Sequence, residues 1–171
     1  MLAASLNARG QLLRALGKVR ESRGCYEESL AITRDFGDDE NLASILLNLA
    51  IVDLLLQDRA SAVSRLSDVL AVQSRIGSRA VGQALLEVCA GAAAEGGDWG
   101  TAETLMRAAE AQSNRSGLGR DPADQAFIDS IIHRIGDHAD AARERDNAGV
   151  EPTYEDSLRM ATRWIEAARR A

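Results

Sequence analysis

The chain repeats itself at an offset of forty residues. Gly37, Gly77 and Gly117 fall one period apart, as do Ala31, Ala71 and Ala111, Leu6, Leu46 and Leu86, and Asp58 and Asp98. No gap is needed to align them. A period of this size restricts the chain to stacked supersecondary units, each too small to bury its own apolar face.

The unit 38–77 shows what one period encodes. Leu42, Ile45, Leu46, Leu49, Val52 and Leu56 recur at spacings of three and four, which predicts a helix over 41–56, with Asp38 as N-cap. Leu47, Ile51, Leu54 and Leu55 add a second apolar face, so this helix should be covered on most sides. Gln57-Asp58 interrupts the pattern, and Asp58 is expected to cap a second helix carrying Ala62, Val63, Leu66, Val69, Leu70 and Ile76. Gly77 then suits the left-handed position that ends a helix, and Ser78 caps the next unit. One period is therefore helix, tight turn, helix, short turn: an antiparallel hairpin.

The details of the period resemble a known family. Asn48-Leu49-Ala50, Gln57-Asp58, Ala62, Leu66 and Val69 follow the tetratricopeptide (TPR) pattern. So do Cys89-Ala90, Gly97-Asp98-Trp99, Ala102, Met106 and Ala109 in the third unit, and Gly10, Gly17, Ser22, Tyr26 and Ser29 in the first. Small residues at Gly10, Ala50 and Ala90, and at Ser22, Ala62 and Ala102, let paired helices approach closely. TPR units usually run about 34 residues, and HEAT or armadillo units about 40–47. Length alone favours the latter; the small positions and the Gly-Asp turn favour TPR with longer helices. The segment Tyr26-Glu27-Glu28-Ser29-Leu30-Ala31-Ile32, with Arg34-Asp35-Phe36-Gly37-Asp38, is similar to a phrase of bacterial signalling regulators. The resemblance covers 2–117 and implies an all-α, α-α superhelix of three helical hairpins.

Beyond Gly117 the period stops. Residues 1–117 are expected to form the hairpins and 118–171 a C-terminal helical cap that closes the solenoid's apolar end. Ser116–Arg120 reads as a linker, Asp121 as an N-cap with Pro122 at the first helical position. Phe127, Ile128, Ile131, Ile132 and Ile135 then share a face. Gly136-Asp137 is expected to turn into a weaker helix, 139–148. After a loop at 149–152, Thr153 should cap a last helix that buries Leu158, Ala161, Trp164, Ile165 and Ala168. Met106–Gln112, Gly117, Asp121-Pro122-Ala123-Asp124, Phe127 and Tyr154-Glu155-Asp156-Ser157-Leu158 are similar to the C-terminal end of multidomain bacterial regulators. These join a DNA-binding or cyclase domain to an NTPase core and a TPR arm. The likeness spans about 100–165, and 133–148 departs from it. At the other end, the first helix (2–16, with Leu6, Leu12, Leu13 and Leu16 as its apolar set) starts with no cap before it, so a fragment of a longer protein is expected. The second helix is expected over 19–36, weakened by Gly24.

Composition excludes several classes. A net charge of −6 and 4% aromatic residues argue against a nucleic-acid surface. Cys25 and Cys89 fall at non-equivalent positions and suggest neither a disulfide framework nor zinc. No secretory leader or membrane-length apolar run is seen, so a reduced, cytoplasmic setting is expected. His133 and His138 flank Gly136 and read as a solvated turn rather than a metal site. No nucleophile and base can be paired, so no enzyme activity and no cofactor are expected.

In the TPR family the first helix of each pair lines the concave face. The resemblance therefore implies a partner-binding surface of Asn7, Gln11 and Arg14, then Leu47, Ile51 and Leu54, then Glu87, Gly91 and Glu95. Two alternatives stand. The apolar strip of the middle unit receives a protein or peptide, or it is covered by the C-terminal helices or a second copy of the chain. Ile51→Asp is expected to abolish partner binding without loss of helicity. The leading functional reading is a non-catalytic protein- or peptide-binding arm of a bacterial signalling or transcription regulator. The alternative is a small-ligand sensor that changes solenoid curvature.

Overall fold

The computed structural model describes residues 1–117, 119–142 and 153–170. Its helices are α1 (Leu2–Ala15), α2 (Val19–Arg34), α3 (Asp39–Leu55), α4 (Arg59–Ile76), α5 (Arg79–Glu95), α6 (Trp99–Ser116), α7 (Gln125–Ala142) and α8 (Tyr154–Ala168). The described residues contain no strand. Helices α1/α2, α3/α4 and α5/α6 pair as hairpins, and successive hairpins stack through α2 on α3 and α4 on α5. The architecture is an all-α helical-repeat superhelix.

Local chemistry sets the boundaries. Asp38, Asp58, Asp98 and Ser78 each accept a hydrogen bond from the backbone N–H three residues on, at 3.1, 3.1, 3.2 and 3.4 Å. These bonds satisfy N–H groups that a first helical turn leaves free. Gly37, Gly77 and Gly117 all take positive φ (68°, 63° and 67°). The tight turns inside the hairpins do the same at Gly17, Gln57 and Gly97 (75°, 62° and 76°). Gln57 thus adopts a left-handed conformation that its two equivalents leave to glycine.

The core lies along α3 and α5, in which every residue of 45–54 and 85–94 is buried. The run of small residues at 90–94 admits close neighbours on both sides. Helix α7 packs on α5 and α6, and α8 packs on α4, α5 and α6. A Cβ at Gly91 would stand 2.8 Å from Ile131 and 2.9 Å from Phe127, and one at Gly82 would stand 1.7 Å from the Tyr154 phenolic oxygen. The two glycines therefore set how closely α7 and α8 approach α5. Arg59 ties this end together: its Nε donates to the Ala92 carbonyl (3.0 Å) and its guanidinium lies 5.6 Å from the centre of the Trp164 ring.

Several expected details differ. Leu12 and Leu16, read as part of the α1 apolar set, are 61% and 64% exposed, and the buried residues of α1 are Gly10 and Arg14. The Tyr26 ring occupies the space above Gly10, so the inner face of α1 is shaped by a neighbouring aromatic rather than by its own leucines. Asp121 caps a turn instead of a helix: its Oδ1 accepts from Ala123 N (2.9 Å), and α7 begins at Gln125. Gly136-Asp137 makes no turn, because α7 continues through it to Ala142. The expected helix at 139–148 thus belongs to α7 up to 142, and 143–148 lies outside the described residues. Helix α8 buries Tyr154, Ser157, Ala161 and Ile165, while Leu158, Trp164 and Ala168 are half-buried at its margins.

Candidate partner groove on the concave face

The start of the tail lies against α1, α3 and α5. On α1, Gln11 Nε2 donates to Asp121 Oδ2 at 2.8 Å. Arg14, only 7% exposed, donates through Nη2 to Asp124 and, at 3.2 Å, to Asn48 Oδ1. Asn48 in turn donates to Asn7 Oδ1 at 3.0 Å. On α5, Glu87 accepts from Arg120 Nε at 2.7 Å, and Glu95 from Arg134 Nη1 at 3.1 Å. Between these polar ends, Phe127 and Ile131 fill the notch over Gly91, beside Leu54.

Asn7, Gln11, Arg14, Glu87 and Glu95 are engaged by polar partners, and four of the five by the tail. Leu47, Ile51 and Leu54 are 7%, 1% and 7% exposed. An aspartate at Ile51 would place a charge in the core, so Ile51→Asp does not separate binding from folding.

The cover is incomplete. A cavity of about 280 Å³ remains between α3, α5 and the stretch 119–128. Leu47, Ile51, Val88, Phe127 and Ile128 supply its apolar wall, and Ser44, Asn48, Gln83 and Glu87 its polar one. Glu40 and Ala80, both exposed, stand on its outer rim.

Burial raises the pKa of Glu87 above the usual carboxylate range, against the opposing pull of Arg120. Asp124 is raised for the same reason, opposed by Arg14. The buried Glu87 and the half-buried Asp124 each have a guanidinium beside them, which is the arrangement of an ion-paired seam. Burial also pushes the Tyr26 hydroxyl up to about 12 and the Cys89 thiol upward, so neither supplies a nucleophile near neutrality. Among the described residues no group of His, Cys, Asp and Glu is placed to hold a metal ion. His138 stacks on Trp99 with ring centroids 3.7 Å apart, whereas the exposed His133 lies 3.6 Å from Asp137. The two histidines do not converge.

Sequence reasoning offered the C-terminal helices as a cover for this surface but did not identify the tail residues that meet it. Asp121 and Asp124 were visible as an acidic pair three residues apart, but nothing local joins them to Gln11 and Arg14, 110 residues away. Asn48 appeared only as a motif position, and Arg120 as linker.

No described helix is long and apolar enough to cross a membrane. No curated protein and no solved structure matches the chain. Residues 1–75, which span α1 to nearly the end of α4, match the family model of the tetratricopeptide repeat.

Proposed function

We propose that the chain is a non-catalytic helical-repeat module that binds a protein or peptide on its concave face, as the regulatory arm of a bacterial signalling or transcription regulator. TPR repeats generally mediate protein–protein interaction, and the match over residues 1–75 supports that class. The observation that carries the reading is the groove itself: an apolar floor at Leu47 and Ile51, flanked by polar groups and left partly unfilled. A partner side chain entering past Ala80 and Ala84 would find apolar wall on one side and amide and carboxylate groups on the other.

Affinity capture with the wild-type chain and with Ala84→Arg tests it. Ala84 is half-buried at the cavity, so an arginine there crowds the entrance while its head reaches water. A partner recovered with wild type and lost with Ala84→Arg, at unchanged helicity, supports the reading. Equal recovery with both removes the groove as the binding surface. The cavity also favours a second reading, a small effector held between α3, α5 and 119–128. Saturable binding of a small molecule, abolished by Ala84→Arg in the absence of any protein partner, would decide for it.

A further inference from the structure

We infer that the concave face is a receptor for an amphipathic helix with an acidic head, and that residues 120–135 are its resident occupant. This inference rests on the groove reading above and names the chemistry of the partner. The seat is complementary in charge to what fills it. Arg14, buried on α1, takes the Asp124 carboxylate, and Gln11 takes Asp121. Arg120 leads, on Glu87, and two carboxylates three residues apart follow it. An aromatic side chain follows three residues after the second, and an isoleucine four residues further on, in the notch that Gly91 leaves open. A partner helix preceded by a turn that carries the two carboxylates presents the same groups.

The resident segment fits imperfectly, which is what makes the seat available. Arg14 Nε and Nη1, Arg120 Nη2 and Gln83 Oε1 are buried there without a hydrogen-bond partner. A buried polar atom left unpaired is costly, and here four of them line one seam. The unfilled cavity beside Ile128 adds space that a longer side chain would occupy. The partner helix therefore competes with a segment that leaves both hydrogen bonds and volume unused. The resident has the advantage of being tethered, which gives it a high effective concentration and keeps the groove closed until the partner is present.

The test uses the full chain and a fluorescein-labelled peptide carrying the sequence of 119–138, read by fluorescence anisotropy. Asp124→Arg sets a cation against Arg14 and should release the tail. Ile131→Ser loosens the same segment without burying a charge, and so covers the case in which the first variant folds poorly. Both variants are expected to bind the peptide at least tenfold more tightly than wild type. Amide exchange should accelerate in α7 and stay slow in α1–α6. A peptide with Asp121 and Asp124 replaced by asparagine should lose at least tenfold. Equal peptide affinity in wild type and both variants, or unchanged exchange in α7 of both, would overturn the proposal. Capture that depends on Ala84 with no peptide binding would sink this inference and leave the groove reading standing. Loss of the Ala84 dependence would remove the groove reading whatever the peptide does.

Discussion

The Tyr154 hydroxyl lies where the β-carbon of residue 82 would be if that residue were not glycine, 1.7 Å from the ideal Cβ position. This contact joins helix α8 to α5, with Arg79 lying 5.3 Å from the centre of the Tyr154 ring. Gly82→Ala must therefore displace the first turn of α8. Overpacking of this kind costs about 1–3 kcal/mol. The Tyr154 hydroxyl has no hydrogen-bond partner, so Tyr154→Phe should be neutral or slightly stabilising and should recover part of the loss in the double variant. Urea denaturation of the four proteins checks this: independent, additive effects would mean the two residues do not meet.

Gln57 should be replaceable by glycine with a gain. Its φ of 62° is that of Gly17 and Gly97 at the equivalent turns. A left-handed conformation costs a residue with a β-carbon about 1–2 kcal/mol, and glycine gives back part of that through its freer unfolded chain. Gln57→Gly is expected to stabilise by about 0.5–1 kcal/mol, while Gly97→Ala should destabilise by a similar amount. A thermal shift of the wrong sign in Gln57→Gly would show that its side chain compensates the strain.

How much of this was legible follows from the range of each interaction. The caps at Asp38, Asp58 and Ser78 and the left-handed glycines 37, 77 and 117 are decided within four residues, and a forty-residue period shows them more than once. The covering of Leu47, Ile51 and Leu54 is decided by Phe127, Ile131 and Asp124, which lie outside the period. Sequence alone could therefore mark the strip and offer the C-terminal helices as one possible cover, without naming the residues that lie on it. The close packing that Gly82 and Gly91 permit depends on Tyr154 and Ile131, which lie outside the period. The burial of Arg14 was harder still, because an arginine expected on the concave face is seen to be buried only once Asp124 and Asn48 are placed beside it.

Stability below neutral pH should depend on Asp58. Its hydrogen bonds with Ser61 hold its carboxyl below the ordinary value of 3.8. A depressed pKa in the folded state means that the unfolded chain takes up the proton first as pH falls. The contribution is therefore fully present above about pH 4 and is lost as pH drops through the folded value. Asparagine caps nearly as well and does not titrate. Asp58→Asn should match wild type within about 0.5 kcal/mol at pH 7 and lose less stability between pH 4 and pH 2. Parallel acid limbs in the two denaturation series would assign that pH dependence elsewhere.

The buried carboxylate of Asp53 is held between two hairpins. Its Oδ2 accepts from Arg65 Nε of α4 at 2.8 Å, and Arg23 of α2 lies 3.3 Å from Oδ1. Asp53 itself is fully buried, and burial raises its pKa against the pull of both arginines. Nothing at the equivalent positions 13 and 93 carries a charge, since these are Leu13 and Ala93. The pair is thus a device of the second hairpin alone. Removing one partner leaves a charge in the core, which costs more than removing both. Arg65→Met should destabilise by roughly 2–4 kcal/mol, whereas the double variant Asp53→Leu with Arg65→Met should return most of that loss. Because the folded-state pKa is raised, Arg65→Met should also regain stability on acidification, as Asp53 takes up its proton at a higher pH in the folded than in the unfolded chain. Chemical denaturation at pH 7 and at pH 4.5 measures both effects. A double variant as unstable as Arg65→Met would mean that Arg65 acts through its packing on α3 rather than through the carboxylate.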